Sequence, residues 1–77
     1  MMPYNSRNLG VVIGKERVGK VMTQEHLSEL IGTSRSHLAA LESGRKSPNL
    51  ETFWKIAIAL SMKPSCLLAK VEDVSDK

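Results

Sequence analysis

Residues 23 to 44, Thr-Gln-Glu-His-Leu-Ser-Glu-Leu-Ile-Gly-Thr-Ser-Arg-Ser-His-Leu-Ala-Ala-Leu-Glu-Ser-Gly, constrain this chain more than any other stretch. Thr23 can cap a helix, because its hydroxyl accepts an orphan backbone N–H one turn later. Leu27, Leu30 and Ile31 then recur at helical spacing. Gly32 stops that helix at a point where a left-handed backbone meets no Cβ clash. Ser34 can cap a second helix, Leu38 and Leu41 give it an apolar stripe, and Gly44 ends it. Two short helices separated by so tight a turn cannot lie side by side and must cross steeply.

That arrangement is a helix-turn-helix, and the residues around it can be placed on the same plan. Residues 1–5 read as an irregular arm. A first helix is expected from about Ser6 to Lys20, with Leu9, Val12, Ile13 and Glu16 or Arg17 on its inner side. Gly10, Gly14 and Gly19 each weaken it by roughly 1 kcal/mol against Ala, so it depends on packing. Met22 is an apolar staple before the Thr23 cap. The second helix spans about Gln24 to Ile31 and the third about Arg35 to Ser43. After the loop Gly44-Arg45-Lys46-Ser47-Pro48, Asn49 caps a fourth helix to Leu60, expected to bury Leu50, Phe53, Ile56, Ala57 and Leu60. Proline suits a first helical turn, so a fifth helix opens at Lys63-Pro64 and runs to about Lys70. Residues 71–77 are polar and read as a frayed tail. The expectation is a compact all-α, five-helix, single domain over residues 1–77.

Several function classes are disfavoured at this stage. The longest apolar run, Ile56 to Leu60, is far short of a membrane span. Met1-Met2-Pro3-Tyr4-Asn5 lacks the pattern of a secretory signal. Cys66 is the single cysteine, which fits a reducing, cytoplasmic setting and reads as a small core or interface residue. His26 and His37 fall on different helices with no third ligand nearby, so neither a metal nor a cofactor is expected. No Ser/His/Asp or Cys/His arrangement supports an enzyme. The net charge of +3 is uneven: residues 1–70 hold ten Lys and Arg against five Glu, while residues 71–77 hold Glu72, Asp73 and Asp76 against Lys77. A basic body suits a polyanion, but the excess is too modest to decide the partner.

The chain resembles the Cro/phage-repressor type of helix-turn-helix, also called XRE-like. The resemblance covers Leu9 to Leu68 and rests on many anchors in register. They are Leu9-Gly10, Ile13, Arg17, Thr23-Gln24-Glu25, Leu27, Gly32, Ser34, Leu38, Leu41-Glu42, Gly44, Pro48, Leu50, Ile56 and Ala59-Leu60. It implies double-stranded DNA as the partner, with the third helix in the major groove. Mapped by the motif, Ser34, Arg35, Ser36 and Ala40 are the base-reading positions, with His37 at the flank. Arg35 can fork onto the O6 and N7 acceptors of guanine, and Ala40 can touch a thymine methyl. Gln24, His37, Ser43, Arg45 and Lys46 are candidate phosphate contacts.

The resemblance also implies a structural ion pair between Arg17 and Glu42. Val21 stands where the family usually has Gly, and a β-branched residue dislikes positive φ, so a different end to the first helix is expected. Ser28 replaces the usual Ala at a close helix crossing and is still small. Trp54 and Ile58, one turn apart, read either as a cap on the core edge or, with Leu67 and Leu68, as a homodimer patch. The expected function is a sequence-specific transcriptional regulator of prokaryotic or phage origin, acting on a pseudo-palindromic operator. Phage repressors, restriction–modification controllers and antitoxins all fit that description. The alternative is an antitoxin-type module that neutralises a partner protein and binds DNA secondarily.

Overall fold

In a computed structural model, residues 3–75 are described. The expected arm and tail are therefore covered only in part, because Met1, Met2, Asp76 and Lys77 lie outside the described residues. The described chain forms α1 (Ser6–Gly19), α2 (Gln24–Ile31), α3 (Arg35–Glu42), α4 (Leu50–Ala59) and α5 (Pro64–Ser75).

Each of the first four helices begins on a side-chain cap. Asn5 Oδ1 accepts from the Arg7 and Asn8 amides at 2.8 and 3.3 Å. Thr23, Ser34 and Asn49 accept from the amides of His26, His37 and Thr52 at 3.0, 3.0 and 2.8 Å. These bonds satisfy N–H groups that have no partner within their own helix.

The same four helices share one way of ending. Val21, Gly32, Gly44 and Ser61 all have positive φ, at 55°, 73°, 82° and 59°. In each case the next residue's amide reaches back five positions, as in Met22 to the Arg17 carbonyl at 3.1 Å and Thr33 to Ser28 at 2.9 Å. This is the Schellman pattern, which pairs carbonyls the helix would otherwise leave open. The expectation for Val21 is thus corrected, since α1 ends as a glycine would end it and a valine bears the strain. Met22 and Met62, the residues after Val21 and Ser61, pack on the core and hold the turns in place.

The core joins all five helices. It comprises Leu9, Val12 and Ile13 of α1, Leu27 and Ile31 of α2, Leu38 and Leu41 of α3, Phe53, Ile56 and Ala57 of α4 with Leu60, and Leu67 and Val71 of α5. Helix α1 lies against α3 and α5, α2 against α3 and α4, and α4 against α5. The α1–α3 approach is close at Gly10, where an added Cβ would stand 2.3 Å from the Glu42 carbonyl oxygen. Ser28 is buried, and its hydroxyl donates 2.7 Å to the Glu25 carbonyl of its own helix.

Two other expectations are corrected. Leu50 is 73 % exposed rather than buried, because it lies on the outer row of α4 with the exposed Trp54 and Ile58. Helix α5 continues past Lys70 to Ser75, since Val71 and Val74 extend the inward stripe begun by Leu67. Ser75 Oγ donates to the Val71 carbonyl at 3.0 Å and accepts from Asn8 Nδ2 at 3.2 Å, which ties the end of α5 to α1.

Candidate nucleic-acid interface

The first turn of α3 and the loop that follows α3 close around one shallow depression. Ser34, Ser36, His37, Ala40, Arg45 and Lys46 line it. The loop is held there by the Ala40 carbonyl, which accepts from the Ser43 hydroxyl at 3.1 Å and the Arg45 and Lys46 amides at 3.0 and 3.3 Å. Arg45 Nε in turn donates to Ser43 Oγ at 3.3 Å. The Ser43 hydroxyl is thus engaged in shaping the loop.

Ser34, Arg35 and Ser36 are exposed at the start of α3, and His37 is half-buried. Ala40 is not outward, as the motif mapping has it, but only 7 % exposed, on the floor of the depression. Its position one turn after Ser36 puts it beneath the rim that Ser36 and His37 form. Arg35, Arg45 and Lys46 have no ion-pair partner among the described residues. Arg45 and Lys46 therefore border the opening with their charge unneutralised, and Arg35 stands exposed beside the lining residues Ser34 and Ser36.

Behind α3 lies a polar network that sets its angle. Arg17 Nε donates to Glu42 Oε2 at 2.7 Å and Arg17 Nη2 to Glu42 Oε1 at 3.1 Å, a bidentate pair. The third Arg17 donor, Nη1, reaches the Met22 carbonyl at 2.7 Å. Only 15 % of the Arg17 side chain and 10 % of that of Glu42 are exposed. Gln24 Nε2 also donates to Glu42 Oε1, at 3.0 Å. Gln24, expected as a phosphate contact, thus has its side-chain amide as the third member of this network. No periodicity signals such a bond, because the two residues meet only when α2 and α3 cross.

The apolar patch differs from expectation in one member. Leu67 is fully buried in the core and cannot belong to a surface. Trp54, Ile58 and Leu68 are exposed, and Leu50 joins them. Leu50, Trp54 and Ile58 follow one another at intervals of four along α4, so they form a single stripe. A groove floored by Phe53 runs between that stripe and Pro64 and Leu68 of α5. Cys66, expected in the core or at an interface, is exposed on the first turns of α5 and is not a core residue. Among the described residues no group of three or more His, Cys, Asp or Glu could hold a metal. No helix among the described residues is long and apolar enough to cross a membrane.

A family model described as helix-turn-helix matches residues 13–65, most of the chain and all of α2, α3 and α4. The chain belongs to the helix-turn-helix family. Its type is that of the Cro and phage repressors. A relative, the ImmF control region 10 kDa protein of Bacillus phage phi105, is 31% identical over 58 residues. That match takes in 75% of this chain but 64% of the phage protein, under two thirds of it. The clp gene regulator ClgR from Corynebacterium glutamicum superposes with a TM-score of 0.91 at 25% identity, over 99% of this chain and 81% of that one. The restriction-modification controller protein C.AhdI from Aeromonas hydrophila superposes with a TM-score of 0.78 at 31% identity, over 80% of this chain and 94% of that one.

Proposed function

We propose that this helix-turn-helix chain is a transcriptional regulator that binds a pseudo-palindromic DNA operator as a homodimer, with α3 in the major groove. The observation that carries this reading is the depression shared by α3 and its following loop, where reader and holder side chains border one opening. Arg35 reads a guanine, Ser34 and Ser36 make short polar contacts to base edges, and the Ala40 methyl receives a group that reaches the floor. Arg45, Lys46 and His37 hold phosphates on either side, while the first amides of α2 meet the neighbouring strand. The Ser43 hydroxyl contributes by fixing the loop. Trp54, Ile58, Leu68 and Leu50 supply the two-fold contact, which spaces two α3 helices to match two half-sites. Occupying the operator then excludes or recruits polymerase. The relatives named above, two of them called a regulator and a controller and the third a product of a control region, support regulation as the task.

The test is selection of genomic fragments by the purified chain, followed by sequencing. Enrichment of one inverted repeat is expected. Recovery of fragments with no shared sequence would overturn the operator reading.

A further inference from the structure

The segment before α1 and its first turn pack on the loop that carries Arg45 and Lys46. Ser6 Oγ donates to the Gly44 carbonyl at 2.8 Å, and the Tyr4 hydroxyl donates to Ser47 Oγ at 3.0 Å. At Gly44, with φ of 82°, an added Cβ would stand 2.7 Å from Arg7 Cα and 3.2 Å from Arg7 Cβ. The backbone of Arg7 is therefore pressed directly against the residue that precedes Arg45. Two hydrogen bonds, made by Tyr4 and Ser6 just before Arg7 in sequence, hold that contact.

Arg7 is exposed and has no ion-pair partner among the described residues. Its place in the helix is electrostatically unfavourable. It is the second residue after the Asn5 cap, in a first turn that holds no acidic side chain. The positive end of the helix dipole repels a cation there and would favour an Asp or Glu. Helix stability thus gives no reason for an arginine at this position, whereas an anion in front of it would supply one. A phosphate would be attracted by Arg7, by the helix terminus and by the adjacent loop cations together.

We infer that Arg7 is a phosphate-contacting residue, forming with Arg45 and Lys46 a single clamp on the backbone of duplex DNA. This deepens the proposed function and rests on it. Ser6 and Tyr4 act as positioning residues, holding Arg7 against the loop so that the three cations approach the strand as one rigid unit. A fork-shaped guanidinium beside a phosphate adds affinity without base preference, so the clamp strengthens specific and non-specific binding alike.

The experiment is a fluorescence anisotropy titration of the full chain on a fluorescein-labelled duplex of mixed sequence, across several salt concentrations. Arg7→Ala is expected to lower the magnitude of the log K against log[salt] slope by about 1 per protomer. Arg7→Lys should keep the slope, and thermal melts should show Arg7→Ala no less stable than wild type. Lys15→Ala is the control, because Lys15 lies on the α5 side of the same helix, beside Lys70 and Asp73. It should leave the slope unchanged. An Arg7→Ala slope equal to wild type, alongside a reduced slope for Arg45→Ala, would overturn the clamp while DNA binding stood. Equal reductions from Arg7→Lys or from Lys15→Ala would overturn it too, since the effect would then be steric or a matter of net charge. A wild-type chain with no salt-dependent binding to duplex would remove the DNA reading and the clamp together.

Discussion

Gln24 and Glu42 are joined by a 3.0 Å hydrogen bond from the amide of one to the carboxylate of the other. The same carboxylate takes the forked Arg17 guanidinium. One partly buried acid thus ties α1, α2 and the end of α3 together. Glu42→Ala would strand Arg17 and leave Gln24 unpaired, so it should destabilise the fold by roughly 3 kcal/mol. Reversal, Arg17→Glu with Glu42→Arg, should recover part of that loss, and Gln24→Ala should cost only about 1 kcal/mol. Urea unfolding of the variants decides it. A Glu42→Ala midpoint equal to wild type would mean the network carries no stability.

Val21 is the opposite case, a residue that costs stability where it stands. It holds a left-handed backbone at φ 55° and is 94 % exposed, so its own side chain makes no packing that offsets the strain. An L-residue in that region is disfavoured by roughly 1–2 kcal/mol, and glycine returns part of the gain through a freer unfolded chain. Val21→Gly should raise stability by about 1 kcal/mol, which is about 4–8 °C in Tm for a domain of this size. An unchanged or lower Tm would show the turn to be relaxed with valine.

The glycines of α1 should respond oppositely to the same substitution. Gly10→Ala would push a methyl into the Glu42 and Leu41 carbonyls, at 2.3 and 2.6 Å, and must force α1 and α3 apart. Overpacking of this kind costs about 1–3 kcal/mol. Gly19→Ala meets nothing within 4 Å and should gain up to about 1 kcal/mol from helix propensity. Thermal melts of both would test the closeness of the α1–α3 crossing.

Adjacent leucines on α5 should separate folding from assembly. Leu67→Ala opens a cavity in the core and should cost about 3 kcal/mol. Leu68→Asp and Ile58→Asp change exposed positions and should leave the protomer's secondary structure intact. If the α4–α5 patch is the two-fold contact, sedimentation of wild type should give about twice the 8.5 kDa chain mass, and either Asp variant should shift it toward the monomer. A wild-type chain that stays monomeric both free and on DNA would sink the homodimer.

Reading and holding should separate at α3. Arg35→Ala removes the side chain able to fork onto guanine and should cost about 1–3 kcal/mol on the selected operator, with relaxed preference for one base pair per half-site. Lys46→Ala should weaken operator and scrambled DNA alike and lower the salt slope by about 1 for each phosphate no longer neutralised. Should Arg35→Ala weaken both DNAs equally and keep base preference, Arg35 would bind a phosphate instead of a base.

What the sequence alone determined was whatever depends on neighbours along the chain. Thr23, Ser34 and Asn49 cap helices because each serves an amide three residues on, and Leu27, Ile31, Leu38 and Leu41 face inward because their spacing matches the helical turn. The Arg17–Glu42 pair was legible only through family resemblance, since its members stand 25 positions apart. Tertiary structure decided which apolar residues are covered: Leu50 was expected inside and lies outside, while Leu67 was expected on the patch and lies in the core. Both are apolar residues in a first or second helical turn, and only the placement of α4 against α5 tells them apart. The same holds for Gln24, whose amide could have met solvent, a phosphate or a carboxylate until the α2–α3 crossing brought Glu42 within 3.0 Å. Val21 shows the balance most directly, because local preference argued against a left-handed turn and the packing of Met22 together with two backbone hydrogen bonds overrode it.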